Sequence, residues 1–234
     1  MTAARVPAPG APPELIETMR LEDGTIALWP GHRARLARSA AALGYPLDLP
    51  ALDARIAHAR AAAPTGVFRL RLLVGPDGAS RIASDPLPDT PQPVRLRLAP
   101  APLDADAFWL AHKTTHRPWF AADEAWLATH PGVFDVIYGN ARSELCEGSR
   151  SNVYIRDEDG AWLTPPLASG LLPGVRRQAL LDAGLAREAR LSVADLRAAS
   201  ALRVSNALRG WLDARLDTVD GPPGDRGPDG VGEA

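Results

Sequence analysis

Short strand-period and helix-period stretches, cut apart by turn residues, follow one another from residue 14 to residue 216 of this 234-residue chain. Their order constrains the fold more than any other feature, because it decides which apolar faces must find partners. LIETMRLEDGTIAL reads as a hairpin of two short strands around Glu22-Asp23-Gly24. PGHRARLARSAAALG predicts a helix: Pro30 sits near its start, Leu36, Ala40 and Leu43 share a face, and Gly44 ends it. ALDARIAHARAAA predicts a second helix, closed by Pro64, and VFRLRLLV reads as a strand. VRLRLAP reads as another, after a Pro-rich connector at 86–93. These pieces predict a small α+β lobe over 14–102.

A second, larger lobe of mixed topology is expected over 103–219. FWLAHK reads as a strand running into Lys113, and FAADEAWLATH as a helix. VFDVIYGNARSELCEG and SNVYIRDEDGAWLTP read as short strands around turns. LLPGVRRQALLDAGL predicts a turn, a helix beginning near Gly174 and a stop at Gly184. SVADLRAAS offers Ser192 as an N-cap with Asp195 three residues on, and ALRVSNALRGWLDARL reads as strand, turn, strand. Residues 1–13 and 220–234, rich in Pro, Gly and small residues, are expected to be disordered.

Composition excludes some classes of function. At 46% hydrophobic residues the chain can bury a sizeable core. A formal net charge of -2 offers no basic excess for nucleic acid or an anionic membrane surface. The single cysteine, Cys146, can make no internal disulfide and no cysteine metal cluster, and no neighbouring pattern marks it as reactive. The N-terminal stretch lacks the apolar run of a signal peptide, and no segment approaches the ~20 apolar residues of a membrane span. A soluble, cytoplasmic protein is expected, with no membrane and no metal.

One residue stands out against this background. Of the 26 lysines and arginines, Lys113 is the one lysine and the other 25 are arginine. A chain that uses arginine wherever a positive charge is needed makes a retained lysine informative. Arginine keeps its proton in proteins and cannot act as a nucleophilic amine, whereas a desolvated lysine can. The other reading, an exposed or ion-paired lysine, stays open on the residues alone.

Further signals are weak one at a time. Glu147 falls in LCEGSRSN, in a turn between two strands. LLPGVRRQALL opens a helix at a glycine, where free N–H groups suit a phosphate. VSNALRG is a polar turn between apolar runs, and Arg35 lies on the first helix. Each has an ordinary structural reading: a turn carboxylate, a plain helix start, a connection, a surface arginine.

Their order is what identifies them. The chain carries H-x-x-R-L-x-x-S-A, then H-K-T-T, then E-G-S-x-S-N-V-Y-I, then T-P-P-x-x-x-G-L-L-P-G-V-x-R, then S-N-A-L-R-G. This resembles the class IV aminotransferases, pyridoxal-phosphate enzymes of fold type IV, over about 14–216. LIETMRLEDG, AHKTTHR and SNALRGW look most like the lyase region of fused aminodeoxychorismate synthase–lyase chains.

The resemblance implies roles. Lys113 would form an imine with the aldehyde of pyridoxal 5'-phosphate and then shuttle protons. Glu147 would pair with the pyridine nitrogen, and Arg35 would hold the phosphate. Val175 and Arg176 would offer backbone N–H groups to that phosphate from a helix start. Ser205, Asn206 and Ala207 would form a second phosphate-binding turn. Many relatives carry Thr at the position of Arg176 and Ser or Thr at that of Ala207. The tyrosine that often follows the lysine and supports the cofactor phenolate is missing from RPWF.

Two reactions fit the resemblance. The first is a lyase, converting 4-amino-4-deoxychorismate to 4-aminobenzoate and pyruvate for folate synthesis. Thr115 would then position a proton for the leaving group, and Arg69 and Arg209 would meet substrate carboxylates. The second is transfer of an amino group from a D-amino, branched-chain or related amine, using the same Lys113, Glu147 and Arg35. A non-catalytic relative would be expected to have lost the lysine or the glutamate. A small-molecule substrate and a homodimer are implied in either case.

Overall fold

The computed structural model describes residues 12–104 and 107–217. Two sheets organise it. β1 (Leu15–Glu22), β2 (Val67–Val74) and β3 (Ser80–Pro86) form a three-stranded antiparallel sheet. Helices α1 (Trp29–Leu43) and α2 (Leu49–Ala61) contribute to its core. Leu15, Met19 and Leu21 of β1 are buried with Leu70, Leu72 and Val74 of β2. Leu36 and Ala40 of α1 and Leu52 and Ile56 of α2 close the same core. Gly44 ends α1 at φ 70, in the left-handed region that favours glycine. Asp48 caps α2 by accepting a hydrogen bond from the Ala51 N–H at 2.9 Å.

The expected hairpin at residues 15–28 is not there. Glu22 and Thr25 exchange two backbone hydrogen bonds around a tight turn, and the chain then enters α1. β1 pairs along its full length with β2 instead, a non-local choice that brings its apolar residues into the core with α1. β3 lies in a stretch without an apolar alternation of its own, and the sequence reading does not contain it.

The second sheet has eight strands in the order β6-β5-β4-β11-β10-β7-β8-β9. In chain order these are β4 (Val94–Leu98), β5 (Asp135–Gly139), β6 (Leu145–Gly148), β7 (Asn152–Arg156), β8 (Trp162–Thr164), β9 (Arg187–Glu188), β10 (Leu202–Asn206) and β11 (Gly210–Leu216). β4 runs parallel to β11 and β5, and β8 parallel to β9; the remaining pairs are antiparallel. The strand at Val94–Leu98, grouped by its sequence position with the first lobe, thus hydrogen-bonds in the larger sheet. A strand's neighbours are set by long-range pairing, which periodicity does not encode.

A single helical turn, α3 (Ala107–Leu110), precedes Lys113 in place of the expected strand. Leu110 is its buried residue, while Phe108 is exposed. A short apolar run does not distinguish a strand from a buried helical turn. Helices α4 (Ala121–Thr129), α5 (Val175–Asp182) and α6 (Val193–Ala198) fall where the sequence places them. Ser192 and Asp195 make the reciprocal capping box of α6. The expected disordered ends lie almost wholly outside the described residues. No helix among those residues is long and apolar enough to cross a membrane.

A candidate active site between the two sheets

A cleft of about 470 Å³ is lined by residues of both sheets, a volume suited to a small ligand. Lys113 lies between α3 and α4, and its backbone is pinned to the start of β1. The Ile16 N–H donates to the Lys113 carbonyl at 2.9 Å, and the Thr115 N–H donates to the Glu14 carbonyl at 2.9 Å. The lysine backbone is therefore tied to the start of β1, and the residue lines the cleft. Burial, then the nearby charges of Arg117 and Arg35, lowers its pKa from 10.5 to about 7, against the opposing pull of Glu17 and Glu147. Burial thus shifts the amine towards its neutral form, as a nucleophile requires.

Glu147 lines the same cleft, on β6 itself rather than in the turn after it. Burial raises its pKa from 4.5 to about 7, while a hydrogen bond from the Leu172 backbone and the charges of Arg117 and Lys113 oppose the rise. Behind it sits Asp135, fully buried at the start of β5. Its carboxylate accepts from the Ser149 hydroxyl at 2.7 Å, the Ser151 hydroxyl at 2.5 Å and the Arg150 N–H at 3.2 Å, and so organises the loop that follows Glu147. Burial raises the Asp135 pKa in spite of these bonds. A Cβ on Gly148 would sit 2.2 Å from the Asp135 carboxylate, so only glycine fits there.

Arg35 faces the cleft from α1 and is held from behind. Its Nε donates to Glu17 Oε1 at 2.9 Å, its Nη2 to Glu17 Oε2 at 2.5 Å, and its Nη1 to the Pro173 carbonyl at 3.3 Å. His32 Nδ1 meets the same Glu17 carboxylate at 2.6 Å. The two favourable partners outweigh the burial cost and hold the Glu17 carboxyl down at about 2. Replacing Glu17 by glutamine leaves a buried guanidinium without its counter-charge, and about 3 kcal/mol of stability is expected to go with it. Urea unfolding at neutral pH measures this. The carboxyl's folded pKa lies below its ordinary 4.5, so its stabilisation is present above that value and is lost as pH falls towards about 2. The glutamine variant should lack this part of the acid unfolding limb.

α5 begins beside Arg35. A Cβ on Gly31 of α1 would lie 2.7 Å from Val175 Cγ1, which measures how closely the two helix starts approach. A Cβ on Gly174 would lie 1.9 Å from Asn152 Oδ1, and Asn152 Nδ2 donates to the Leu172 carbonyl at 3.1 Å. The glycine before the helix and the asparagine of E-G-x-x-x-N are thus two halves of one contact. Ser205 and Asn206 at the end of β10, and Ala207 in the turn that follows, line the cleft. The Ser205 and Tyr154 hydroxyls lie 2.8 Å apart. Asn206 Oδ1 accepts from the backbone N–H groups of Leu208 at 3.2 Å and Arg209 at 2.7 Å, so its side chain shapes the turn itself.

The cleft brings together Lys113, Glu147, Arg35, Val175, Ser205, Asn206 and Ala207. Arg69 and Arg209 also line it. Arg69 is exposed and ion-paired with Asp85 at 2.8 Å, and Arg209 donates to the Pro88 carbonyl. One of the expected residues is placed elsewhere. Thr115 is not among the lining residues; its hydroxyl accepts from the Glu14 N–H at 2.9 Å, which ties the lysine loop to the chain ahead of β1. Arg176, expected to offer its backbone N–H, lies in the first turn of α5 and lines a neighbouring cavity. Cys146 is buried, donates to the Ser169 carbonyl at 3.0 Å and has its thiol pushed up to about 12 by burial, the state of an inert structural thiol.

Sequence reasoning missed Glu17, Thr18, Asp135 and Arg117. Glu17 left a legible signal, an acid within the apolar alternation of LIETMRL. Arg117 left none among so many arginines. Its guanidinium lies 4.7 Å over the Phe120 ring, donates to Glu124 at 3.0 Å and also donates to the Ser149 carbonyl. From there its charge bears on both Lys113 and Glu147. Replacing Arg117 by glutamine should raise the pKa of both groups. Because Lys113 is the one lysine, protein labelled with 13C-lysine gives a single Cε signal, and its titration reads the change directly.

A family model for class IV aminotransferases matches residues 14–216, and the chain belongs to that family. The chain is similar to a provisionally assigned amino-acid aminotransferase of Mesorhizobium loti, with 40% identity, 88% of this chain and 100% of that chain covered, and a TM-score of 0.80. It is also similar to 4-amino-4-deoxychorismate lyase of Pseudomonas aeruginosa, with 26% identity, 91% and 86% coverage and a TM-score of 0.74. The aminodeoxychorismate lyase of Saccharomyces cerevisiae is 28% identical over 133 residues, 50% of this chain and 35% of that protein. The chain therefore aligns with about a third of that curated relative's length. The two-lobed fold-type IV architecture anticipated from the sequence is the one these structures share.

Proposed function

We propose that this chain is a pyridoxal-phosphate-dependent lyase that converts 4-amino-4-deoxychorismate to 4-aminobenzoate and pyruvate. The cofactor fits the donor set of the cleft: a partly neutral amine for an aldehyde, a buried carboxylate for a pyridine nitrogen, and a fixed guanidinium with a helix start and a turn for a phosphate. When bound, pyridoxal phosphate supplies an electron sink conjugated to the carbon that takes up an amine. Lys113 would hold the cofactor through its amine and, as a free amine, would be the base for the proton on the amine-bearing carbon of the substrate. Glu147 holds a proton on the pyridine nitrogen. Arg35, the first N–H groups of α5 and the turn at Ser205–Ala207 anchor the phosphate. Thr18, whose residue lines the cleft from β1, takes over the proton-positioning role that the sequence assigns to Thr115.

The observation that carries the substrate class is the cleft wall. Trp109, Trp119 and Phe134 provide apolar aromatic surface, while Arg69, Arg117, Arg150 and Arg209 provide cations around the same space. That combination suits a six-membered carbocycle bearing two carboxylates. The named similarity to two lyases points the same way. A second reading, an aminotransferase, is favoured by the 40% identity to the Mesorhizobium loti protein, and would use the same Lys113, Glu147 and Arg35. A coupled assay decides: chorismate, glutamine and an aminodeoxychorismate synthase are supplied, and 4-aminobenzoate is followed. No product, together with amino transfer from an amino acid to a keto acid, would replace the lyase reading with the second. In both readings we expect a homodimer, which sedimentation measures.

A further inference from the structure

Among the described residues five arginines line the cleft: Arg35, Arg69, Arg117, Arg150 and Arg209. Four of them already have acceptors. Arg35 donates to Glu17 and the Pro173 carbonyl, Arg69 to Asp85, Arg117 to Glu124 and the Ser149 carbonyl, and Arg209 to the Pro88 carbonyl. Arg150 is exposed, and its guanidinium donates to no acceptor and joins no ion pair among the described residues.

The backbone of Arg150 is fixed on both sides. Its N–H donates to Asp135 Oδ2 at 3.2 Å, and its carbonyl accepts from Asn206 Nδ2 at 3.2 Å. The Ser149 and Ser151 hydroxyls on either side both donate to Asp135. Asp135 feels the charge of Arg150, but its oxygens hold these three donors and the Val136 N–H, and no guanidinium. A long cationic side chain thus stands on an anchored base, three residues after Glu147, and is joined through Asn206 to the proposed phosphate turn.

Two acids line the same cleft, Asp89 and Glu147, and the second belongs to the proposed pyridine contact. The space carries an excess of positive charge. A carboxylate that displaces Asp85 from Arg69, or the Pro88 carbonyl from Arg209, exchanges one hydrogen bond for another and gains little. The fork of Arg150 takes a carboxylate without breaking a bond inside the protein, through two parallel N–H···O bonds. Its fixed backbone leaves only side-chain freedom to be lost on binding.

We propose that Arg150 is a specificity-determining residue of this site and receives one carboxylate of a ring dicarboxylate substrate. It takes the part that the sequence reading gives to Arg69 and Arg209. The proposal rests on the substrate reading given above.

The test joins a binding measurement to a kinetic one, on the full chain loaded with pyridoxal phosphate. Isophthalate, a six-membered ring with two carboxylates, and benzoate, with one, are titrated calorimetrically. Wild type should bind isophthalate at least ~10-fold more tightly, as a charge-assisted pair allows. Arg150→Gln should lose this preference, and Arg150→Lys should recover part of it. Arg187→Gln, whose partner Asp157 lies outside the cleft, should keep all of it. In the coupled assay for 4-aminobenzoate, Arg150→Gln should raise KM about 10-fold and leave kcat within about 2-fold. No preference in wild type, or an unchanged preference or KM in Arg150→Gln, would overturn the assignment. A wild type that forms no 4-aminobenzoate, yet shows the preference and loses it with Arg150, would overturn the lyase reading and leave the carboxylate contact standing.

Discussion

Lys113→Arg should abolish turnover, by at least ~10³-fold, within the range for loss of a positioned nucleophile and proton carrier. The substitution keeps the positive charge and most of the side-chain length. It removes the two properties the site uses, a nitrogen that can lose its proton and a primary amine that can form and exchange an imine. The environment already favours the neutral amine: burial and two guanidiniums bring its pKa down to about 7. Placed there, an arginine would be a permanently charged group beside Arg117 and Arg35. The loss should therefore be one of kcat at every pH, read in the coupled assay for 4-aminobenzoate. Added small amines should restore part of it, because the missing group is a base and not a charge.

Glu147→Gln is the second large effect. An amide cannot hold a proton on the pyridine nitrogen, so the cofactor would lose much of its capacity as an electron sink. We expect kcat to fall ~10²-fold, at the lower end of what a positioned proton-holding group contributes, with substrate affinity less affected. The same substitution should act in the opposite direction on stability. In the cofactor-free protein Glu147 has its carboxyl raised to about 7 by burial. A carboxyl raised above its ordinary value is stabilising when protonated, and that contribution is lost as pH rises from about 4.5 through about 7. Cofactor-free Glu147→Gln should therefore be more stable than wild type at pH 8, and the difference should vanish near pH 4. Thermal unfolding at the two pH values measures this. Under the proposed function, Glu147 would be a group whose burial lowers the stability of the empty protein, a common cost of function.

Much of the fold and site was legible in the sequence because local chemistry determines those parts. Gly44, Ser192 with Asp195 and Gly174 mark helix ends through their own backbone and side-chain preferences. Lys113 is readable because the chain uses arginine for every other cation, and Glu147 and Val175 because they sit in ordered blocks of residues. What was not legible depends on distant partners. The pairing of β1 with β2, and of β4 with β5 and β11, is decided by which buried faces fit. The short apolar run before Lys113 suits a strand as well as the helical turn it forms. Thr115 reads as a hydroxyl beside the proposed catalytic amine, yet it joins the lysine loop to Glu14. Glu17 and Arg117 act by orienting or biasing other charged groups; an acid within the apolar alternation of LIETMRL hints at the first, while nothing in its immediate neighbours announces the second. Arg176 occupies a helix start whose backbone could be read, while the direction of its long side chain could not.

The central claim is that Lys113 is the amine that carries the cofactor. The most direct measurement is borohydride reduction of the protein incubated with pyridoxal phosphate, followed by peptide mapping with mass spectrometry. One phosphopyridoxyl group per chain, on the peptide that contains Lys113, is the predicted result, with loss of visible absorption on reduction. Cofactor bound to the protein with no adduct on Lys113, or turnover that survives Lys113→Arg, would contradict the account.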